Sequence, residues 1–166
     1  TGVQTCALPI LDVWGLIKGV GRKTAILLNH HDVVDAYDYQ TLKAYAYRPE
    51  LLREMLKDVE LERDIEDDLK SGEWIFARGA ADMKAGIAIQ LSLVEAFSKQ
   101  QKFNGNILFI SVADEESLSL GMRSSAELLE KIKKKFDLEY TILIDSEPHQ
   151  KTENNEGVFY TGSVGK

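Results

Sequence analysis

Carboxylate and imidazole side chains follow four short apolar segments of the sequence, each at the point where the segment ends. In open α/β sheets, ligands bind beyond the carboxyl ends of the strands. Carboxylates that converge there repel one another unless cations neutralise them, so the pattern predicts a metal centre. Its candidate residues are His30, Asp32, Asp82, Glu115, Glu116, and either Asp145 or Glu147.

The ligand types indicate which metal such a centre would hold. Imidazole combined with carboxylate suits zinc, and manganese or cobalt are plausible substitutes. A set with this many acids is more than one ion needs. We therefore interpret it as a hydrolytic centre with two Zn²⁺ ions, or Mn²⁺ or Co²⁺ in their place.

Each of these candidate residues also has a purely structural explanation. A His-x-Asp spacing is common by chance, and Asp82 could simply cap the helix that follows it. Glu115 and Glu116 could belong to a solvated loop, and the acids before Pro148 could form a turn. The same chemistry at four independent segment ends is harder to explain in this way, and the coincidence favours one joint site.

The elements that must position these residues alternate between strands and helices. Short apolar runs predict strands, and longer runs with helical spacing predict helices, with His31 on the opposite strand face from His30. This order is typical of an α/β fold with three layers, a largely parallel sheet and helices on both faces. The predicted strands are 13–18, 24–28, 74–77, 106–112 and 140–144, and the predicted helices are a pair within 49–70, then 84–99 and 121–135.

Composition limits the classes of protein that fit. The 166 residues, 44% of them hydrophobic, are enough for one core, in which Trp14 and Trp74 are expected to be buried or half-buried. The net charge of −7 argues against a nucleic-acid surface. No apolar run reaches the roughly 20 residues of a membrane helix, so we expect a cytoplasmic protein without a membrane partner.

Four motifs, in order and spacing, resemble the zinc peptidase family of aminoacylase, acetylornithine deacetylase, carboxypeptidase G and peptidase T, whose fold is that of zinc exopeptidases. They are 30–34 (HHDVV), 78–86 (RGAADMKAG), 114–116 (DEE) and the acid before Pro148. The helical insertion after His-x-Asp and the ending 160–166 are similar to the arginine-utilisation (RocB-like) branch.

The resemblance implies a role for each matched residue. His30 would ligate one metal, and Asp32 would hydrogen-bond its other ring nitrogen. Asp82 would bridge both metals, and Glu116 would ligate the second. Glu115 would be the general base that takes a proton from water and passes it to the leaving amine.

The fourth acid and the ends of the chain are less defined. Glu147 is preferred as the remaining ligand because the family often places an acid directly before proline, but Asp145 lies closer to the strand end. The family's second histidine ligand would lie beyond Lys166, and His149 does not match it. Residues 11–166 would then be the N-terminal part of a catalytic domain, truncated at both ends and without its lid or dimerisation domain.

Residues 1–10, which contain Cys6, resemble a translated sequencing adapter and are set aside as an artefactual segment. At the other end, Val158–Tyr160 are predicted to form a strand.

The function implied is metal-dependent hydrolysis of an amide bond in a small peptide or N-acyl amino acid, through water activated by two zinc ions. The fragment alone would be inactive, and a homodimer could form through the missing domain. Two alternatives stay open: a non-catalytic metal-binding relative of the same fold, and a two-metal phosphoesterase.

Overall fold

The computed structural model describes residues 12–100 and 102–148. The segment 1–10 with Cys6, the predicted strand 158–160 and His149 lie outside these ranges. None of the helices in the described ranges is long and apolar enough to cross a membrane.

Four strands form one mixed sheet. They are β1 (Val13–Lys18), β2 (Val20–His30), β3 (Asn104–Val112) and β4 (Glu139–Asp145), and their order across the sheet is β1-β3-β2-β4. β2 runs parallel to both β3 and β4, whereas β1 is antiparallel to β3 at one edge. The predicted α/β class with a largely parallel sheet is confirmed.

Helices follow the strands on both faces of the sheet. They are a 3₁₀ segment (Tyr37–Tyr45), α1 (Pro49–Leu56), α2 (Arg63–Ser71), a π-helical turn (Ala80–Ala85), α3 (Gly86–Ser98) and α4 (Leu120–Phe136). Side chains of β2 and β3 alternate between the two faces, as strand geometry requires. Ile26 and Leu108 pack with Ile132 of α4, while Leu27 and Ile107 line a cavity against α3.

The core is continuous from β1 to α4. Leu108 and Ile110 on β3 are fully buried, because this central strand is covered on both sides. Trp14 packs edge-on against Phe136 and is only 8% exposed, as predicted. β4 is different, since Ile142 and its neighbours along this edge strand are largely exposed.

Two local predictions are wrong. Residues 74–77 do not form a strand, and Trp74 is 57% exposed rather than packed in the core. A run of four apolar residues is too short for its periodicity to distinguish a strand from a connecting segment. Such a run forms a strand only if a neighbouring strand pairs with it through hydrogen bonds. The second strand is also longer than the predicted 24–28, because β2 already begins at Val20, ends at His30 and pairs with β3 through an irregular register.

Candidate metal centre

The carboxyl ends of three parallel strands meet at one edge of the sheet. His30 ends β2 and lies opposite Val112, the last residue of β3, while Leu28 lies opposite Asp145 at the end of β4. Parallel pairing therefore brings three of the four predicted groups together. The fourth, Asp82, reaches the same place from the π-helical turn before α3 and not from a strand.

His30 is the centre of the site. Its side chain is 2% exposed, and its Nε2 atom lies 3.1 Å from Asp82 Oδ1, 3.3 Å from Glu147 Oε1 and 3.9 Å from Glu115 Oε2. Two ligands of a tetrahedral zinc ion, each about 2.0–2.1 Å from the metal, are separated by roughly 3.3 Å. The Asp82 and Glu147 oxygens are thus at ligand spacing from His30, and one ligand atom from each of the three residues lies within 4.8 Å of the others.

The other ring nitrogen of His30 faces Asp32. Nδ1 lies 3.2 Å from the backbone carbonyl oxygen of Asp32 and 3.4 Å from its carboxylate Oδ1. Both neighbours accept a hydrogen bond from Nδ1–H, and in that tautomer Nε2, which faces Asp82 and Glu147, is the nitrogen available to a metal. The carbonyl oxygen, at the shorter distance, is an acceptor that sequence reasoning did not include.

Asp82 does not cap a helix. No side-chain capping hydrogen bond is present at the start of the π-helical turn or of α3, and the carboxylate points instead at His30. The next residue, Met83, is buried, and its sulfur accepts a hydrogen bond from the backbone N–H of His30 at 3.1 Å. This contact ties the Asp82 turn directly to the end of β2.

Asp32 also holds the loop that follows β3. Its Oδ1 accepts the backbone N–H of Glu115, and its Oδ2 accepts that of Glu116, each at 3.1 Å. These two bonds outweigh partial burial and keep the pKa of Asp32 below its usual value. One carboxylate therefore orients His30 and both glutamates at once.

Replacing Asp32 by alanine is expected to weaken zinc binding by about 10- to 100-fold, because the two backbone N–H groups lose their acceptor and the glutamate pair is no longer fixed. Zinc affinity is measured by competition with a chromophoric chelator. Asp35→Ala is the control, since that exposed carboxylate pairs with Lys43. Equal affinities in the two variants would contradict the role given to Asp32.

The crowding of acids around His30 changes how the site titrates. Burial, reinforced by Asp145 and Asp82 and opposed by His30, raises the pKa of Glu147 to about 7. Burial and the nearby Asp82 also raise the pKa of Glu116. For His30, burial favours the neutral form, but attraction to Glu147 and the other acids is stronger and raises its pKa. The metal-free site thus retains protons that a cation would displace.

Zinc affinity is accordingly expected to fall as the pH is lowered from 8 to 6. Below about pH 7, Glu147 holds a proton in the metal-free protein, and the surrounding acids raise the pKa of His30 and so favour its protonated form. Each group must lose a proton to act as a ligand. If two protons are displaced, affinity falls by up to about 100-fold per pH unit. The measurement is zinc titration at several pH values, with Glu147→Gln as the comparison that should show a shallower slope. A flat profile would contradict the assignment.

Two acids compete for the position after β4. Glu147 reaches His30 Nε2, whereas within the described residues the ion pairs of His30 do not include Asp145. Asp145 lines the same small cavity of about 110 Å³, together with His30 and Glu115. The geometry therefore favours Glu147 as the metal ligand and leaves Asp145 beside it.

Sequence reasoning missed three polar residues behind the site. Gln90 on α3 is buried, and its side chain forms hydrogen bonds with Asn29, which precedes His30, and with Ser146, which precedes Glu147. A glutamine inside the otherwise apolar start of α3 was the available signal. His31 faces Ser111 instead of the site, consistent with its predicted position on the other side of the strand.

The donor set fits a divalent cation. One buried imidazole and two half-exposed carboxylates converge at zinc-ligand spacing, further acids surround them, and the metal-free arrangement is strained by like charges. The fold and the site together define an α/β protein with a candidate metal centre at the carboxyl edge of its parallel strands.

Comparison with known proteins gives the family. Residues 26–158 match the model of Peptidase family M20/M25/M40, and the chain belongs to this family. It is 43% identical over 150 residues to the Bacillus subtilis (strain 168) protein named Uncharacterized protein YqjN, covering 87% of this chain and 27% of that protein. It is 36% identical over 161 residues to Protein RocB of the same organism, covering 93% of this chain and 28% of that protein.

The chain thus spans about a quarter of the length of the curated relatives it matches. The grouping of His30, Asp82 and Glu147 at metal-ligand spacing agrees with membership of this peptidase family.

Proposed function

We propose that the full-length protein is a two-zinc amidohydrolase that cleaves an amide bond in a small peptide or an N-acyl amino acid. The observation that carries this proposal is the convergence of Asp82 and Glu147 on the buried Nε2 of His30, with Glu115 slightly farther away. Three residues at ligand spacing with a further carboxylate close by form the arrangement that metal-assisted hydrolysis needs.

The site has donors for two ions. His30, Asp82 and Glu147 would hold the first, and Asp82 and Glu116 would contribute to the second, whose remaining ligand comes from elsewhere in the full-length protein. When bound, the zinc pair supplies Lewis-acid polarisation of the substrate carbonyl and a lowered pKa for water.

Glu115 is suited to proton transfer. Its Oε2 lies 3.9 Å from His30 Nε2, which is farther than two ligands of the same zinc ion usually are from each other. A water molecule held in the site would still be within reach of this carboxylate. Its backbone N–H is held by Asp32, while its side chain is 45% exposed and free to face a substrate. In the proposed reaction this carboxylate accepts the proton of the attacking water and delivers it to the leaving nitrogen.

The relatives support an amino-acid-derived substrate. Likeness to RocB, together with the motif resemblance to the arginine-utilisation branch, makes N-acylated or peptide-linked nitrogen-rich amino acids the first compounds to test. The acidic balance of the chain, 27 acidic against 20 basic residues, is compatible with a cationic substrate.

The test uses the full-length gene product, dialysed against trace zinc. Elemental mass spectrometry is expected to find about two metals per chain, and a screen of dipeptides, N-acyl amino acids and phosphate esters is expected to show metal-dependent amide cleavage only. Bound metal without turnover of any compound would favour a non-catalytic metal-binding relative. Cleavage of phosphate esters alone would favour the phosphoesterase alternative.

A further inference from the structure

We propose that a clamp formed by the buried Gln90 and the half-buried Ser146 positions Glu147 against His30 and thereby sets the metal affinity of the site. This inference rests on the proposed function, because it concerns the same metal centre. It assigns a positioning role to two side chains that belong neither to the ligand set nor to the proton-transfer step.

The Gln90 side chain joins the two strands that carry ligands. Its Nε2 donates to the backbone oxygen of Leu28 at 2.7 Å and to Ser146 Oγ at 2.8 Å, and its Oε1 accepts from Asn29 Nδ2 at 2.8 Å. Gln90 is 1% exposed and its bond to Asn29 is buried, while its bonds to Leu28 and Ser146 are partly buried, so competition from water is reduced. One amide therefore connects the residue before His30 to the residue before Glu147.

Ser146 is also held sterically at the start of α3. A Cβ atom added to Gly86 would lie 2.3 Å from Ser146 O and 2.8 Å from Ser146 Cβ, so the backbone of α3 directly contacts this residue. Gly86 and Gln90 are four positions apart and lie on the same face of the helix. Ser146 thus sits against two successive turns of α3, the helix that follows Asp82.

Glu147 needs this support because the preceding strand, β4, restrains its position only weakly. It lies two residues beyond the end of β4, an edge strand whose side chains are largely exposed. Its carboxylate must be held near Asp82 in spite of charge repulsion, which would move an unrestrained segment away from the site. The bonds from α3 oppose this movement and keep Glu147 Oε1 at 3.3 Å from His30 Nε2.

The decisive variant is Ser146→Ala in the full-length protein, which removes one hydroxyl and leaves the packing of Gly86 unchanged. Zinc affinity, measured with Zn²⁺ and a competing chromophoric chelator, is expected to fall by about 10- to 100-fold. The control is Ser92→Ala on the same helix, whose exposed hydroxyl bonds only the backbone oxygen of Ala88. This control should bind zinc like the wild type.

A second readout separates positioning from general stability. The absorption spectrum of the Co²⁺-substituted protein reports the ligand geometry, and it should change in Ser146→Ala while thermal unfolding of the metal-free protein shifts only slightly. A merely structural role would lower the unfolding temperature and leave both the spectrum and the zinc affinity unchanged, and this result would overturn the clamp.

Gln90→Met adds an independent test, since it keeps the side-chain length but cannot donate to Ser146 or Leu28. If this variant fails to fold, Ser146→Ala alone still decides the question. Wild-type protein that binds no zinc would overturn the proposed function and the clamp together. Wild-type protein that binds two zinc ions, with unchanged affinity in Ser146→Ala, would overturn the clamp and leave the proposed function intact.

Discussion

Replacing Glu115 by glutamine in the full-length protein is expected to lower the turnover number by about 10²- to 10⁴-fold while the protein keeps its bound metal. The substitution preserves the shape of the side chain and its backbone bond to Asp32, but an amide cannot accept the proton of the attacking water. The loss corresponds to about 3–5 kcal/mol of transition-state stabilisation.

The adjacent glutamate provides the matched comparison. Glu116→Gln is expected to lower the metal content from about two ions per chain toward one, because Glu116 is proposed as a ligand of the second ion. Metal content and turnover are measured on the same preparations. If Glu115→Gln loses metal, or retains full turnover, the two neighbouring roles have been assigned incorrectly.

The second large effect is expected for Asp82→Ala. Asp82 is the carboxylate proposed to serve both ions, and its oxygen lies 3.1 Å from His30 Nε2. Without it the first ion loses a ligand and the second loses its connection to the first, so metal content should fall well below two per chain. Turnover should fall by about 10³-fold or more, because metal-ion stabilisation of the transition state amounts to several kcal/mol.

Stability measurements distinguish this result from misfolding. Zinc at 100 times its dissociation constant stabilises a protein by about 2.7 kcal/mol, and this increment should disappear in Asp82→Ala. The metal-free variant should have about the same stability as the metal-free parent, because relief of the repulsion of Glu116 and Glu147 offsets loss of the contact between Asp82 and His30. Asp67→Ala, on the exposed side of α2, serves as the control and should bind zinc normally. A metal-free Asp82→Ala protein that is clearly less stable than its parent would point to a structural role for this residue.

Much of the fold could be predicted from residue patterns. The apolar runs of β3 and β4 and the helical spacing of α3 and α4 are local properties, and the structure has these elements within one or two residues of the expected bounds. The run at 74–77 failed because a strand also needs a neighbour that pairs with it, and such long-range pairing is not encoded in a four-residue pattern.

The types of chemical groups in the site were also accessible from the sequence. His30, Glu115, Glu116 and Glu147 could be named because parallel strands deliver their end residues to one edge. Asp82 was named from a predicted strand at 74–77 that does not form, and it reaches the site from a helical turn instead. The choice between Asp145 and Glu147 could not be made in this way, since both follow β4 and differ only in the direction of their side chains.

The candidate ligand types, the class of fold and the approximate order of its elements could be read from the residues alone, because these depend on residue chemistry and short-range periodicity. Tertiary structure alone decided that Asp82 approaches from a helical turn, that the Asp32 carboxylate holds both glutamates, and that Gln90 joins the His30 and Glu147 segments. The physical reason is that each of these features is a contact between residues more than 50 positions apart, whose geometry exists only after the sheet and α3 have packed together.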